Sequence, residues 1–224
     1  MYDRYNIVFD FDGTIVDTRP GIVKSMQYAL EKLGIRGYPA ADIEKLIGKP
    51  LEEMLAEVLG EKCTTARIRD GVILFRSRYG NEGLKESELY DGIIQALNAL
   101  AEFDIDLHIL SSKPTDFVVK ICTSFSILDF FRHINGVDLR GLSPNKSDRL
   151  GEMIKQLNLD PEKTVMYGDR SDDCIAAFNN NIQIIGAAYG FGGYDELKSQ
   201  GCRTICYKPN ELIKWVISNN WGNQ

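Results

Sequence analysis

Residues 5–9, Tyr-Asn-Ile-Val-Phe, have strand character and run straight into two carboxylates one position apart, Asp10 and Asp12, with Gly13 and Thr14 following at once. An apolar strand, then acids, then a turn is how a reactive group is presented at the end of a buried parallel strand. The pattern then becomes helical. Ile22, Val23, Met26, Leu30 and Leu33 share one face, with Gly34 placed to stop the helix. Pro39 and Asp42 open a short segment, Gly48-Lys49-Pro50 breaks it, and Leu51, Met54, Leu55, Val58 and Leu59 form another stripe ending at Gly60. A further stripe runs through Ile68, Val72, Ile73 and Phe75 to Gly80. Four helices with no strand between them do not belong inside an alternating sheet. They predict a helical insert over residues 17–88, which leaves 1–16 and 89–224 as one α/β core domain.

From residue 89 the alternation resumes. A helix is expected from Gly92 through Leu100, a strand over 105–110 ending in Ser111-Ser112-Lys113-Pro114, and a helix over 117–125. Residues 133–137 read as a short strand, and Ser143-Pro144-Asn145-Lys146 leads into a helix bearing Leu150, Met153, Ile154 and Leu157. Residues 164–167 form a strand ending at Gly168-Asp169, with Ser171 or Asp172 capping the next helix. Strands at 182–185 and 204–206 and a helix over 212–217 complete the chain. The fold class is therefore α/β, a Rossmann-like parallel sheet with an inserted α-helical cap, and the polar clusters fall at the carboxyl ends of strands, where such a sheet places its ligand.

The 224 residues are 44% apolar and 26% charged, ordinary values for a folded soluble chain. A net charge of −6 argues against a nucleic-acid surface, which needs a basic stripe. No window approaches a membrane span and no leader pattern opens the sequence, so the expectation is a cytoplasmic protein without nucleic-acid or membrane partners, as monomer or homodimer. Five cysteines without C-x-x-C spacing give neither a zinc site nor a disulfide framework, which fits a reducing compartment.

Three strand ends carry acids or hydroxyls: Asp10 with Asp12, Ser111, and Asp169 with Asp173 four residues on, while Lys146 heads a helix in between. Phosphoryl transfer needs such a set, because charge spreads over several oxygens and catalysis is mostly positioning and charge stabilisation. Carboxylates alone would repel a phosphate. A hard cation such as Mg2+ removes the difficulty, held by one or two carboxylates while keeping waters and a substrate oxygen. An EF-hand reading fails, because that loop needs glycine at its sixth position and here it stands fourth from Asp10. His108 and His133 complete no triad and read as structural.

Taken together, Asp10-Phe-Asp12-Gly-Thr14, Ile109-Leu110-Ser111, Lys146 and Gly168-Asp169-Arg-Ser-Asp-Asp173 resemble the four motifs of the haloacid dehalogenase superfamily, in the group with a helical cap after the first motif. The resemblance implies that Asp10 attacks phosphorus to form an aspartyl-phosphate. Asp12 would protonate the leaving oxygen and then activate water. Asp10, the Asp12 carbonyl and Asp169 would bind Mg2+, with Asp173 ligating directly or through water, and Asp172 is the alternative to Asp173. Ser111 and Lys146 would hold phosphate oxygens, with Ser112 as the alternative to Ser111 and Gly13 beside them.

The acid two residues after the nucleophile is what phosphatases and phosphomutases of this superfamily share, and dehalogenating or ion-pumping members lack it. Asp12 thus implies phosphate esters as substrates. Lys49, on the tight loop between two helices of the insert, is the candidate substrate contact there; Arg19, Arg76 and Arg78 are weaker ones. The pattern, including Ser111-Ser-Lys-Pro and the loop Tyr189-Gly-Phe-Gly192, looks most like the phosphoglycolate phosphatase-like branch. The expected activity is a Mg2+-dependent phosphatase acting on a small phosphorylated metabolite. A β-phosphoglucomutase-type phosphomutase, a 5'-nucleotidase or pyrophosphatase, and a non-catalytic binding protein are the alternatives.

Overall fold

A computed structural model describes residues 4–138 and 144–222. In chain order, β1 (Tyr5–Phe9) and β2 (Val16–Asp17) are followed by the helices α1 (Arg19–Lys32), α2 (Ala40–Glu44), α3 (Leu51–Leu59) and α4 (Thr65–Asn81). Then come β3 (Glu88–Leu89), α5 (Ile93–Leu100), β4 (Ile105–Pro114), α6 (Thr115–Ser124), β5 (Phe131–Val137), α7 (Lys146–Leu157), β6 (Thr164–Gly168), α8 (Ser171–Asn179), β7 (Gln183–Ala187), α9 (Gly193–Ser199), β8 (Thr204–Cys206) and α10 (Glu211–Ser218). The chain divides into two compact units, Met1–Asp17 with Leu89–Gln224, and Thr18–Glu88.

In the first unit six parallel strands lie in the order β5-β4-β1-β6-β7-β8. β1 is central, and the chain builds β4 and β5 on one side of it and β6, β7 and β8 on the other. That reversal opens a crevice at the carboxyl ends of β1, β4 and β6, where ligands sit in doubly wound sheets. Ile7, Val8 and Phe9 are fully buried, which is why β1 reads as a continuous apolar run and not as an alternation. The Phe9 ring meets Phe131 and Tyr167 edge-on at centroid distances of 6.0 and 5.5 Å, locking β1 to its neighbours. At the opposite end of the chain Trp221 is buried, 4.7 Å from the Tyr5 ring and 4.9 Å from Trp215, so the tail packs on the core.

Several elements differ from the sequence reading, among them β4, α8 and α9. β4 does not stop at Leu110 but continues to Pro114 through a break in its register with β5. α9 carries a single buried apolar residue, Leu197, too few to show a helical period. The N-cap of α8 is Arg170, not Ser171 or Asp172, because the carboxylate of Asp173 at the third helical position accepts the Arg170 N–H at 3.0 Å. Ser143 lies outside the described residues.

The second unit is helical. Its buried face on α4 is Gly71, Phe75 and Tyr79, with the two rings stacked at 5.5 Å, whereas Ile73 is 61% exposed and does not belong to the stripe. Arg78 donates to Ser25 and to both Glu86 oxygens, each at 3.0 Å, and so serves the unit's own packing. Arg76 lies 3.6 Å from Glu52. The Lys49 ammonium pairs with Glu57 at 2.5 Å.

Candidate active site

Asp10 follows the last residue of β1, and its N–H donates to the Tyr167 carbonyl of β6 at 2.8 Å, so the first carboxylate is fixed as an extension of the sheet. Gly13 then turns the chain at φ +88°, a left-handed conformation open to glycine, and a Cβ there would collide with the Asp169 carboxylate. Its N–H is spent on the Val16 carbonyl at 2.9 Å, closing the turn. Thr14 donates its hydroxyl to Asp169 Oδ1 at 2.9 Å, which ties the loop after β1 to the end of β6.

Asp169 and Asp173 are held from the other side. The Phe191 N–H donates to Asp169 Oδ2 at 2.7 Å, and Gly190 sits so close to Asp169 that any side chain at that position would displace it. The Tyr189 hydroxyl donates to the Thr14 carbonyl at 2.8 Å. Glu196 of α9 accepts the Ser171 N–H at 2.7 Å and the Arg170 guanidinium at 3.0 Å, anchoring the start of α8. Asp173 is fully buried, while Asp172 is exposed, so the helix turns the later aspartate inward.

Lys146, at the start of α7, joins the acids into one cluster: its Nζ lies 2.6 Å from Asp10 Oδ1 and 2.5 Å from Asp173 Oδ1. Carboxylate oxygens of Asp10, Asp169 and Asp173 lie within 4.8 Å of one another, all buried. Burial pushes the Asp10 carboxyl up to about 7 against the pull of Lys146, and the Asp173 charge adds to the rise. Asp169 is raised well above the carboxylate range by burial and then by Asp10 and Asp173. Burial opposes the charge on Lys146, but Asp10 and Asp173 outweigh it and its pKa is raised. Three buried carboxylates facing one ammonium are deficient in positive charge. All-oxygen donors at this spacing fit a hard divalent cation such as Mg2+.

The alternation of β4 decides which residues of 111–113 join the cluster. Ser111 and Lys113 are buried and Ser112 is exposed, so Ser112 is not brought into the site. The Ser111 hydroxyl accepts the Lys113 N–H at 3.0 Å and keeps its own proton available to a ligand oxygen. Lys113, overlooked in the sequence, places its ammonium 2.8 Å from Asp12 Oδ1 with only 6% of its side chain exposed. Its signal was the period of two from Ser111, hidden because Ser-Ser-Lys-Pro looks like a turn. Asp10, Asp12, Ser111, Lys146, Asp169 and Asp173 thus converge from β1, β4, β6, α7 and α8. Lys49 belongs to the helical unit, with Glu57 as its partner.

A family model described as haloacid dehalogenase-like hydrolase matches residues 7–187. A 5'-nucleotidase of Pseudomonas aeruginosa is 36% identical over 204 residues, 91% of either chain. A phosphoglycolate phosphatase of Colwellia psychrerythraea is 26% identical over 219 residues, 95% of this chain and 97% of its own. Among solved structures, a protein described as a predicted phosphatase from Clostridium acetobutylicum has a TM-score of 0.87 and 32% identity, over 96% of this chain and 100% of that one. The chain belongs to the haloacid dehalogenase-like hydrolase family. The family is one of hydrolases. Among the described residues, no helix is long and apolar enough to cross a membrane.

Proposed function

We propose that the protein is a Mg2+-dependent phosphatase of small phosphorylated metabolites, with Asp10 as nucleophile. The observation that carries this reading is the buried Asp10–Lys146–Asp173 cluster beside Asp169, at the carboxyl end of the central strand. Asp10 is directed by its backbone bond to β6 and by Lys146, so its carboxylate is aimed before substrate arrives. In this reading an Asp10 oxygen forms a bond to phosphorus as the ester oxygen leaves with a proton from Asp12. Asp12 then takes a proton from the water that releases phosphate and frees Asp10. Ser111 donates its hydroxyl to a phosphate oxygen, and Lys146 offsets charge on the phosphoryl group and on Asp10. Asp10, the Asp12 carbonyl, Asp169 and Asp173 would hold Mg2+, which when bound supplies the positive charge that lets an anionic ester approach the carboxylates.

Residues 18–88 are assigned the role of cap, excluding bulk water and selecting the leaving group. For Lys49 to contact substrate, it would have to exchange Glu57 for a substrate oxygen. A nucleoside monophosphate is favoured as substrate class by the 36% likeness to the 5'-nucleotidase, against 26% for the phosphoglycolate phosphatase. The test is phosphate release from a panel of 5'-nucleotides, phosphoglycolate, sugar phosphates and pyrophosphate, with Mg2+ and with EDTA. Release from at least one ester, lost in EDTA, is expected; no release from any of them would sink the reading.

Metal binding should compete with protons. Asp10 and Asp169 have raised pKa values in the metal-free protein, that of Asp10 reaching about 7, so below about pH 7 Asp10 carries a proton that Mg2+ must displace. Affinity for Mg2+ is therefore expected to weaken as pH falls through about 7. Calorimetry in two buffers of different ionisation enthalpy reads the protons released per ion bound, which should be more on the acid side. A Mg2+ affinity independent of pH across this range would contradict the buried-carboxylate account.

A further inference from the structure

The pairing of β4 with β5 breaks at the point where the site begins. From Leu110 opposite Asn135 to Pro114 opposite Val137, β4 advances four positions while β5 advances two. Residues 111–113 therefore leave the regular ladder, and such bulges re-aim side chains beside active sites. Ser111 and Lys113 stay buried across the break, continuing the alternation of Ile105, Leu107 and Ile109.

Arg149 lies across this break. It is only 4% exposed, although α7 otherwise buries an apolar stripe of Leu150 and Met153. Its Nη2 donates to the Ser111 carbonyl at 2.7 Å, to the Asn135 carbonyl at 2.9 Å and to Asn135 Oδ1 at 2.7 Å, and its Nε reaches the same Oδ1 at 3.2 Å. One guanidinium thus binds both sides of the disrupted ladder from a third element. Burying a guanidinium is costly, and an apolar residue at this position would continue the stripe. All of these acceptors are neutral groups, so the bonds themselves do not cancel its charge, on which Asp10 and Glu152 act without being among these acceptors. Position 149 is three residues after Lys146, on the same side of the helix. The bonds from Arg149 to β4 and β5 therefore also fix how far Lys146 stands from Ser111.

We infer that Arg149 is a positioning residue: it clamps the β4 bulge to α7 and so sets the spacing of Ser111 and Lys146, the two groups that grip the phosphate. This rests on the phosphatase reading, and it concerns phosphate binding and turnover, not metal binding, since none of these Arg149 bonds goes to Asp10, Asp169 or Asp173. Lysine keeps the charge but cannot reproduce the planar, multi-acceptor geometry of arginine.

The test uses the full-length protein with Mg2+ and p-nitrophenyl phosphate, comparing wild type with Arg149→Met, Arg149→Lys and Asn135→Ala. Arg149→Met is expected to lower kcat by about 10- to 100-fold and to weaken binding of inorganic phosphate by about tenfold. Half-saturation by Mg2+ should stay within about twofold of wild type, and Arg149→Lys should show the same pattern in milder form. Asn135→Ala in the Arg149→Met background should add little, because both residues act through one clamp. A purely structural role would lower Tm while leaving kcat and phosphate affinity of the folded protein intact, and that result overturns the inference. So does a loss of Mg2+ affinity as large as the loss of phosphate affinity. Should Arg149→Met not fold, Arg149→Lys and Asn135→Ala decide by the same criteria. An active wild type with indifferent variants defeats this inference alone, whereas a wild type that neither hydrolyses the ester nor binds phosphate defeats the phosphatase reading with it.

Discussion

Replacing Asp10 by asparagine is expected to remove phosphate release, by about four orders of magnitude or more in kcat, without lowering thermal stability. The first half follows from the placement of Asp10, the carboxylate at the end of the central strand that is aimed by a backbone bond and by Lys146 together. An amide at that point has no anionic oxygen to attack phosphorus. The second half follows from the crowding of Asp10, Asp169 and Asp173, whose burial and mutual repulsion raise the pKa values of Asp10 and Asp169. Taking one charge out of that cluster relieves repulsion, while Lys146 keeps Asp173 as its partner. Thermal denaturation in EDTA beside a kinetic assay separates the two effects. A variant that loses activity only in proportion to a lower Tm would mean that Asp10 holds the fold together and is not the nucleophile.

Lys146→Met should damage both properties. Its ammonium is the group that lies within ion-pair distance of both Asp10 and Asp173, and its side chain is only 9% exposed. Breaking a buried ion pair by removing one member costs about 3–5 kcal/mol, because the remaining charges stay buried without compensation. In the metal-free protein that cost should appear as a large fall in Tm, partly restored by Mg2+. Activity should fall by about 100- to 1000-fold even with saturating Mg2+, since a preorganised cation at the phosphoryl oxygens is lost. Equal Tm values for wild type and variant in EDTA would show that the cluster is not the buried, charge-deficient site described above.

The sequence was most informative where a rule of local chemistry has few exceptions. An apolar run ending in Asp10 and Asp12 located β1 and the first loop, because a strand buried on both faces leaves no alternation to misread. The sequence placed Asp169 at a strand end and Asp173 in the first turn of the next helix, and the spacing favoured Asp173 over Asp172 as the inward acid, as the burial of Asp173 and exposure of Asp172 show. That facing is held by the bond from the Arg170 N–H to Asp173, a local contact at the start of α8. Ser111 was read ahead of Ser112 as the phosphate contact, and the strand that runs on to Pro114 buries Ser111 and exposes Ser112. A proline ordinarily argues against strand, but it is tolerated where the ladder is ending or bulged.

Lys113 and Arg149 were missed for a common reason. Each is a cation in a place where the usual expectation is a solvated side chain, and each is buried by partners distant in sequence: Asp12 for Lys113, Ser111 and Asn135 for Arg149. Periodicity contained the hint in both cases, as Lys113 repeats the facing of Ser111 and Arg149 repeats that of Lys146. What periodicity could not contain was the register break between β4 and β5, which Arg149 spans. Glu196 was hidden more completely, since α9 has too little apolar character to be recognised and its carboxylate acts on the backbone of α8.

The most direct test of the central claim is to look for the phosphoryl group on Asp10. Asp12→Asn should form the covalent species from p-nitrophenyl phosphate, whose leaving group departs without a proton, but should hydrolyse it slowly for want of a base. Rapid acid quench, proteolysis and mass spectrometry should then find one phosphoryl group on the peptide containing Asp10, together with a stoichiometric burst of p-nitrophenol. A burst with the phosphoryl group on another residue, or steady turnover with no covalent species in either wild type or Asp12→Asn, would contradict the assignment of Asp10 as the nucleophile.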